Sequence, residues 1–283
     1  MALGNDWFTE IFHDHGAAFS MKVQEKLHEE QTPFQHIEIY ETTEFGTLMV
    51  IDGCVMVTDR DNFIYHEMMS HPVLFTHPNP KKVVVIGGGD CGTLREVLKH
   101  TGVVQAWQAE IDERVTRLAE QYFPQLCDAN KDPRAHFLFD DGIKFIAELP
   151  KGSVDVIIVD STDPVGPAKG LFAEPFFRSC LHALAADGIL VQQSESPLFH
   201  MNILQEMRDE MRKAGFVNFQ TLNFPQCSYP SGWWSAMMAS KNLELGQFRE
   251  PQAANKTFKT SYYNAKIHNA AMAAPEFFNT NLR

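Results

Sequence analysis

Four groups of carboxylates recur along this chain at positions where chemistry can use them. Asp90, Glu110, Asp140 with Asp141, and Asp160 with Asp163 each follow a short apolar run that reads as a strand. In an open α/β sheet, ligands bind beyond the carboxyl ends of the parallel strands, so four successive strands would deliver these acids to one cleft. Carboxylates gathered there bind and orient a cationic amine, and one of them can take its proton. Each acid alone can equally cap the helix that follows it. Capping accounts for the positions one by one, but not for Asp160 and Asp163 bracketing a Pro/Gly-rich segment.

The first of these acids sits in Lys82–Asp112, the stretch around which the chain is organised. Val83–Ile86 is too short for a helix and ends in Gly87-Gly88-Gly89-Asp90-Cys91-Gly92; Leu94, Val97 and Leu98 then share one helical face. Strand, glycine turn, helix, second strand and a terminal acid form the first half of a nucleotide-binding βαβ unit. Glu110 is placed to accept hydrogen bonds from ribose hydroxyls. Asp90 alters the ligand class, because a carboxylate in this turn repels a pyrophosphate. A sulfonium or amine fits that field.

The elements that must carry these groups follow from periodicity. Residues up to about Thr58 are β-rich: Ile37 and Ile39 alternate with polar neighbours, and Leu48–Ile51 and Cys54–Val57 flank the hairpin dipeptide Asp52-Gly53. Asp59–His71 reads as a helix capped by Asp59 or Asp61, ended by Pro72. Beyond the glycine turn come a helix at Glu113–Tyr122, a strand at Phe137–Phe139 and a helix near Ile143–Leu149. The buried strand Val154–Val159 leads to a flap at Ser161–Phe172. A helix near Glu174–Ala185, strand Ile189–Gln193 and helix Met201–Ala214 follow, and strands near Val217–Phe224 and Trp233–Ala239 finish the sheet. The domain expectation is a β-rich unit over residues 1–75, ending in a linking helix, and a Rossmann-like unit over 76–283.

Composition narrows the function classes. The chain has 283 residues, 21% charged and 44% hydrophobic, which suits a soluble α/β protein. A formal net charge of -12 disfavours nucleic-acid binding and suits cationic small molecules. The five cysteines lack any CxxC spacing and read as reduced thiols. With no secretory leader pattern and no membrane-length apolar run, the expected location is cytoplasmic. Metal binding is tested by His66 and His71, which are five residues apart and therefore roughly 140° apart around a helix; a zinc pair at i,i+4 needs about 40°. His13-Asp14-His15 lacks further ligands nearby. No metal is expected.

Several longer motifs together resemble the spermidine synthase family of aminopropyltransferases: GGGDCG, AEID, DDG and DSTDPVGP, with FQHIEIYET and TDRDNFIYHEM before them and YPSGWWS and YYNAKIHNAA after. The resemblance spans nearly the whole chain. It implies a small N-terminal β domain followed by a seven-stranded methyltransferase-type sheet. It also implies transfer of the aminopropyl group of decarboxylated S-adenosylmethionine, a co-substrate rather than a cofactor, to a diamine, usually putrescine, leaving methylthioadenosine. On that resemblance Gln35 and Glu110 hold the ribose, and Asp141, Gly142 and Pro167 meet adenine. Asp90 and Asp163 anchor amino groups, Tyr65, His66 and Tyr229 line the amine channel, and Asp160 is the catalytic acid–base. A homo-oligomer, dimer or tetramer, formed through the N-terminal β region, is implied as well. Two departures stand out: Cys91 replaces a glycine usual in the family, and Pro72 falls one position early. The competing readings are an amine N-methyltransferase using intact S-adenosylmethionine, whose carboxylate Asp90 would repel, and a non-catalytic polyamine or nucleoside sensor.

Overall fold

The computed structural model describes residues 3–163 and 166–282, without the side chains of residues 166, 167 and 279. The chain opens with five antiparallel strands in sequential order: β1 (Trp7–Phe12), β2 (Ala17–Gln31), β3 (His36–Thr42), β4 (Thr47–Ile51) and β5 (Cys54–Thr58). Asp52 and Gly53, both with positive φ, turn β4 into β5. Helix α1 (Asn62–Thr76) crosses to a seven-stranded sheet.

That sheet is built from β6 (Lys82–Gly87), β7 (Gln105–Ala109), β8 (Ala135–Leu138), β9 (Val154–Asp160), β10 (Leu184–Gln193), β11 (Asn218–Pro225) and β12 (Trp233–Ser240), in the order β11-β12-β10-β9-β6-β7-β8. Only β12 runs against its neighbours, as a methyltransferase-type sheet requires. The helices interleaved with it are α2 (Gly92–Leu98), α3 (Glu113–Tyr122), α4 (Gly142–Glu148), α5 (Glu174–Ala183) and α6 (Met201–Ala214), and three short ones close the chain. The continuous apolar runs of its strands are explained by burial on both faces. Val83, Val85, Val156 and Ile158 face one core with α1 and α2; Val84, Ile86, Ile157 and Val159 face the other with α4, α5 and α6.

Two boundaries differ from the sequence expectation. Helix α1 continues through Pro72 to Thr76 instead of stopping at His71. Proline removes one helix hydrogen bond, but thirteen of the fifteen residues of α1 are buried, and that packing outweighs the lost bond. The same packing attaches α1 to the larger unit, because Tyr65, Met68, Met69 and Val73 share a core with Val83 and Val156. The break between the units therefore lies ahead of α1, not at residue 75. Asp61 does not cap α1 through its side chain; it accepts from Thr58 at 2.6 Å and from the Ser228 amide at 3.0 Å.

The smaller sheet is seated on the larger unit by Ile37, Ile39, Met49 and Ile51, which pack on Val115, Leu118 and Ala119 of α3. A cleft is thereby enclosed between the five-stranded sheet and the carboxyl ends of β6, β7 and β9. The tail is held by Glu67 of α1, whose carboxylate accepts the backbone N–H groups of Ser261, Tyr262 and Tyr263 at 2.7, 2.9 and 2.7 Å. His71 is structural, bonded to Glu96 and His100, each at 3.0 Å. Among the described residues Glu29, His36 and Glu38 lie close enough together to ligate a cation. Lys26 already bonds both carboxylates, at 2.9 and 2.6 Å.

Candidate active site

The cleft holds a cavity of about 360 Å³, and the strand-end acids Asp90, Glu110, Asp141, Asp160 and Asp163 all reach it. The glycine turn makes this possible. Gly87 has φ +78, and a side chain there would strike the Asp160 carbonyl, so the backbone can bring β6 and β9 together only without one. Cys91 takes the left-handed φ of +68 that glycine adopts more readily, and its sulfur fills buried space behind the turn. The departure from the usual glycine is thus absorbed by backbone strain and a buried thiol.

Gln35, from the loop before β3, lines the cavity together with Glu110, Asp141 and Gly142. Gln35 is held by its side-chain amide, which donates to Asp112 at 3.1 Å. Asp141 caps α4, accepting from the Ile143 amide at 2.8 Å while lining the cavity. For this residue, capping and site placement coincide. Glu110 is buried and accepts only backbone N–H groups, including that of Asp112 at 2.9 Å. Burial, with Asp112 and Asp160 nearby, pushes its carboxyl up to about 7. The side chain of Pro167 lies outside the described residues.

Two neighbouring carboxylates in the cavity wall have proton affinities shifted in opposite directions. Asp160 accepts from the Tyr65 hydroxyl at 2.6 Å and from the Thr93 hydroxyl at 2.5 Å. Neither contact caps a helix. Burial, then the charge of Asp90, raises the Asp160 carboxyl above the ordinary carboxylate range. Burial would raise Asp90 too, but His66 at 3.0 Å and the Gly92 amide at 2.7 Å outweigh it and hold Asp90 below that range. His66 is correspondingly raised; its burial opposes this, and Asp90 overcomes it.

His66, buried against Asp90, is not among the side chains that line the cavity. Tyr65 and His66 are neighbours on a helix and point about 100° apart, so Tyr65 faces the cavity and His66 stands behind Asp90. Tyr229 lines the channel as expected, anchored by its hydroxyl to the Met56 carbonyl at 2.6 Å and edge-on to Tyr65 and Trp234.

The cavity also has a second acidic centre. Asp163 is pushed up to about 8 by burial and then by the neighbouring Glu195, whose own carboxyl burial also raises. Glu10 of β1 reaches the same cavity and accepts from the Val55 amide at 3.0 Å; burial, joined by Asp163, raises it to about 7. Sequence reasoning missed Glu10, Thr93 and Glu195. Glu195 follows β10 just as the other acids follow their strands, so the strand-end pattern carried one strand further finds it. Glu10 has a fainter signal: it is the one acid in the apolar run Trp7–Phe12 and the buried residue of that strand.

Similarity to known proteins agrees with this geometry. Residues 62–249 match the family model described as the spermine/spermidine synthase domain, and residues 6–59 the spermidine synthase tetramerisation domain. Polyamine aminopropyltransferases of Thioalkalivibrio sulfidiphilus and Methylococcus capsulatus are each 65% identical to this chain, over 100% of it and 99% of their own length. A solved spermidine synthase in complex with the transition-state analogue AdoDATO superposes with a TM-score of 0.94 at 35% identity, covering 100% of this chain and 96% of that one. The spermidine synthase of Thermotoga maritima superposes with a TM-score of 0.92 at 35% identity, covering 98% and 94%. With family models matching residues 6–59 and 62–249 and relatives 65% identical over its full length, the chain belongs to the spermine/spermidine synthase family of polyamine aminopropyltransferases.

Proposed function

We propose that the enzyme transfers the aminopropyl group of decarboxylated S-adenosylmethionine to a diamine, with putrescine as the acceptor, yielding spermidine and methylthioadenosine. The observation that carries this reading is that Asp160, bonded to Tyr65 and Thr93, lines one cavity together with Gln35, Glu110, Asp141 and Gly142 and with the acids Asp163 and Glu10. A sulfonium activates its own methylene for displacement, so the protein supplies no covalent nucleophile, and no cofactor is invoked. What it must supply is in-line placement and an amine with a free lone pair.

A primary amine with pKa ~10.4 is almost wholly protonated at pH 7, and removing its proton costs roughly 4–5 kcal/mol at 1.36 kcal/mol per unit. Asp160, raised by burial, is a better base than an exposed carboxylate, and Tyr65 and Thr93 fix its orientation. In this reading Gln35 and Glu110 take the ribose, and Asp141, Gly142 and Pro167 the adenine. Asp90, kept ionised by His66, meets the amino group of the aminopropyl chain and repels the carboxylate of intact S-adenosylmethionine. Asp163 and Glu10 take the distal ammonium of the acceptor beside Tyr65 and Tyr229, releasing a proton as it binds.

We also assign the N-terminal sheet to a homo-oligomer, dimer or tetramer. Ile11, Leu27 and Phe34 of this unit are exposed, which supports an association surface. Five unpaired cysteines suit the reducing cytoplasm, and among the described residues no helix is long and apolar enough to cross a membrane. Product mass analysis with decarboxylated S-adenosylmethionine and a panel of amines tests the reaction. An added aminopropyl group on putrescine is expected. An added methyl group from intact S-adenosylmethionine, or no product with any amine, would overturn it.

A further inference from the structure

The glycine turn carries a feature that aminopropyl transfer does not use. Cys91, at its left-handed corner, lies against Cys127 of the segment that follows α3. The Cys91 thiol bonds to the Gly89 carbonyl at 3.5 Å and the Cys127 thiol to the Asp90 carbonyl at 3.8 Å, which sets the two thiols close enough for Cys127 to raise the proton affinity of Cys91. Both sulfurs are thus hung on successive carbonyls of one turn. The Cys91 sulfur also receives a side-chain amide N–H group from Gln108, at 3.8 Å, and Asn130 lies near enough to favour its ionised form. Those are the contacts that stabilise a thiolate as it forms. Cys91 is fully buried, whereas Cys127 is part exposed and is the thiol a small oxidant meets first.

We infer that Cys91 and Cys127 form a reversible disulfide that couples the nucleoside turn to peroxide. The steps balance. A peroxide oxidises the Cys127 thiol to a sulfenic acid and is reduced to water. The Cys91 sulfur then attacks the Cys127 sulfur, forming the S–S bond, and the sulfenic hydroxyl leaves with the Cys91 proton as a second water. A dithiol reductant reverses it by exchange. At rest the neighbouring Cys127, then burial, keep the Cys91 thiol protonated, which restricts the reaction to oxidation begun at Cys127.

The consequence follows from where the turn sits. An S–S bond is about 2 Å long, well inside thiol contact distance, so closing it draws residue 91 toward the α3 segment. The adjacent residues are Asp90, bonded to His66, and Gly89, which packs against Glu110 and Val115 with no room for a side chain. A displacement of about 1 Å at such a site costs about 100-fold in rate. The oxidised enzyme should lose at least about tenfold in kcat/KM and in methylthioadenosine affinity.

The test treats the full-length enzyme with hydrogen peroxide and follows intact mass, non-reducing peptide maps and activity. The expected result is loss of two hydrogens, a Cys91–Cys127 linked peptide, and inhibition that dithiothreitol reverses. Cys127→Ser, and Cys91→Gly as a second variant suited to the left-handed corner, should keep basal activity and resist peroxide. Wild-type protein without the linked peptide would overturn the inference, as would a linked peptide with unchanged activity. Inhibition that persists in both variants would trace to another thiol, such as Cys54 in the cavity wall, and would overturn it as well. The mass readout does not depend on which amine the enzyme accepts.

Discussion

The ends of β6 and β9 are adjacent in the sheet, each presents an aspartate to the same cavity, and the two aspartates are held in opposite ways. Asp90, after β6, is fixed as an anion by His66 and the Gly92 amide. Asp160, ending β9, has neutral hydroxyl partners and feels Asp90 as a like charge, so its proton affinity rises. Environments that push neighbouring carboxylates apart divide the labour between them. In the proposed reaction one supplies a permanent field, and the other exchanges a proton.

The largest expected effect comes from removing the exchanging member. Asp160→Asn retains size and the hydroxyl contacts but cannot take a proton, and single-turnover chemistry should slow by roughly 10²–10⁴-fold. Methylthioadenosine binding should change little, which serves as the folding control. Near-normal chemistry would leave Asp160 a binding residue. Asp163→Asn comes next. Losing one charge-assisted contact to the distal ammonium should raise the amine KM by roughly 10–100-fold with a much smaller change in kcat. An equal fall in kcat would move Asp163 into the chemical step.

Asp90→Asn should act on selectivity. The preference for decarboxylated over intact S-adenosylmethionine, measured by calorimetry, should shrink by at least about tenfold, since a like-charge contact is lost. An unchanged preference would remove Asp90 from that contact. The smallest effect is on stability. Glu10, Glu110 and Asp163 are raised to about 7, 7 and 8, so each binds its proton more tightly folded than unfolded. Their stabilisation is complete below the ordinary carboxylate range and is lost as pH rises through 7–8. The Tm of the ligand-free enzyme should fall by a few degrees between pH 6 and 8.5, at about 2–4 °C per kcal/mol, and saturating diamine should remove most of that fall. A fall that diamine leaves untouched would separate these groups from amine binding.

Much of this was legible in the sequence, and the reasons are physical. Strand ends in a parallel sheet share one edge, so the run of acids after β6, β7 and β9 could be placed without coordinates. The large sheet's strands were legible because burial on both faces demands continuous apolar runs. What escaped depended on contacts distant in sequence. Glu10 and Asp163, 153 residues apart, line one cavity and influence each other's charge. The bond from Tyr65 to Asp160 joins residues 95 apart, and only family resemblance linked them beforehand. Pro72 misled for a related reason: local propensity ends a helix there, and tertiary packing carries α1 onward. The bond from His66 to Asp90 joins residues 24 apart and was likewise out of reach of local pattern. A motif lists neighbours without saying which of two adjacent helical side chains faces the ligand.

The division of labour between Asp90 and Asp160 is tested most directly by the pH dependence of the single-turnover rate in wild type, Asp90→Asn and His66→Gln. The rate should fall on the acidic side as Asp160 takes up a proton. Asp90→Asn removes the like charge that raises Asp160 and should move that limb to lower pH. His66→Gln removes the positive charge that opposes the rise and should move it to higher pH. Opposite displacements of one limb are the predicted result. A limb that stays in place in both variants, or moves the same way in both, would contradict the account.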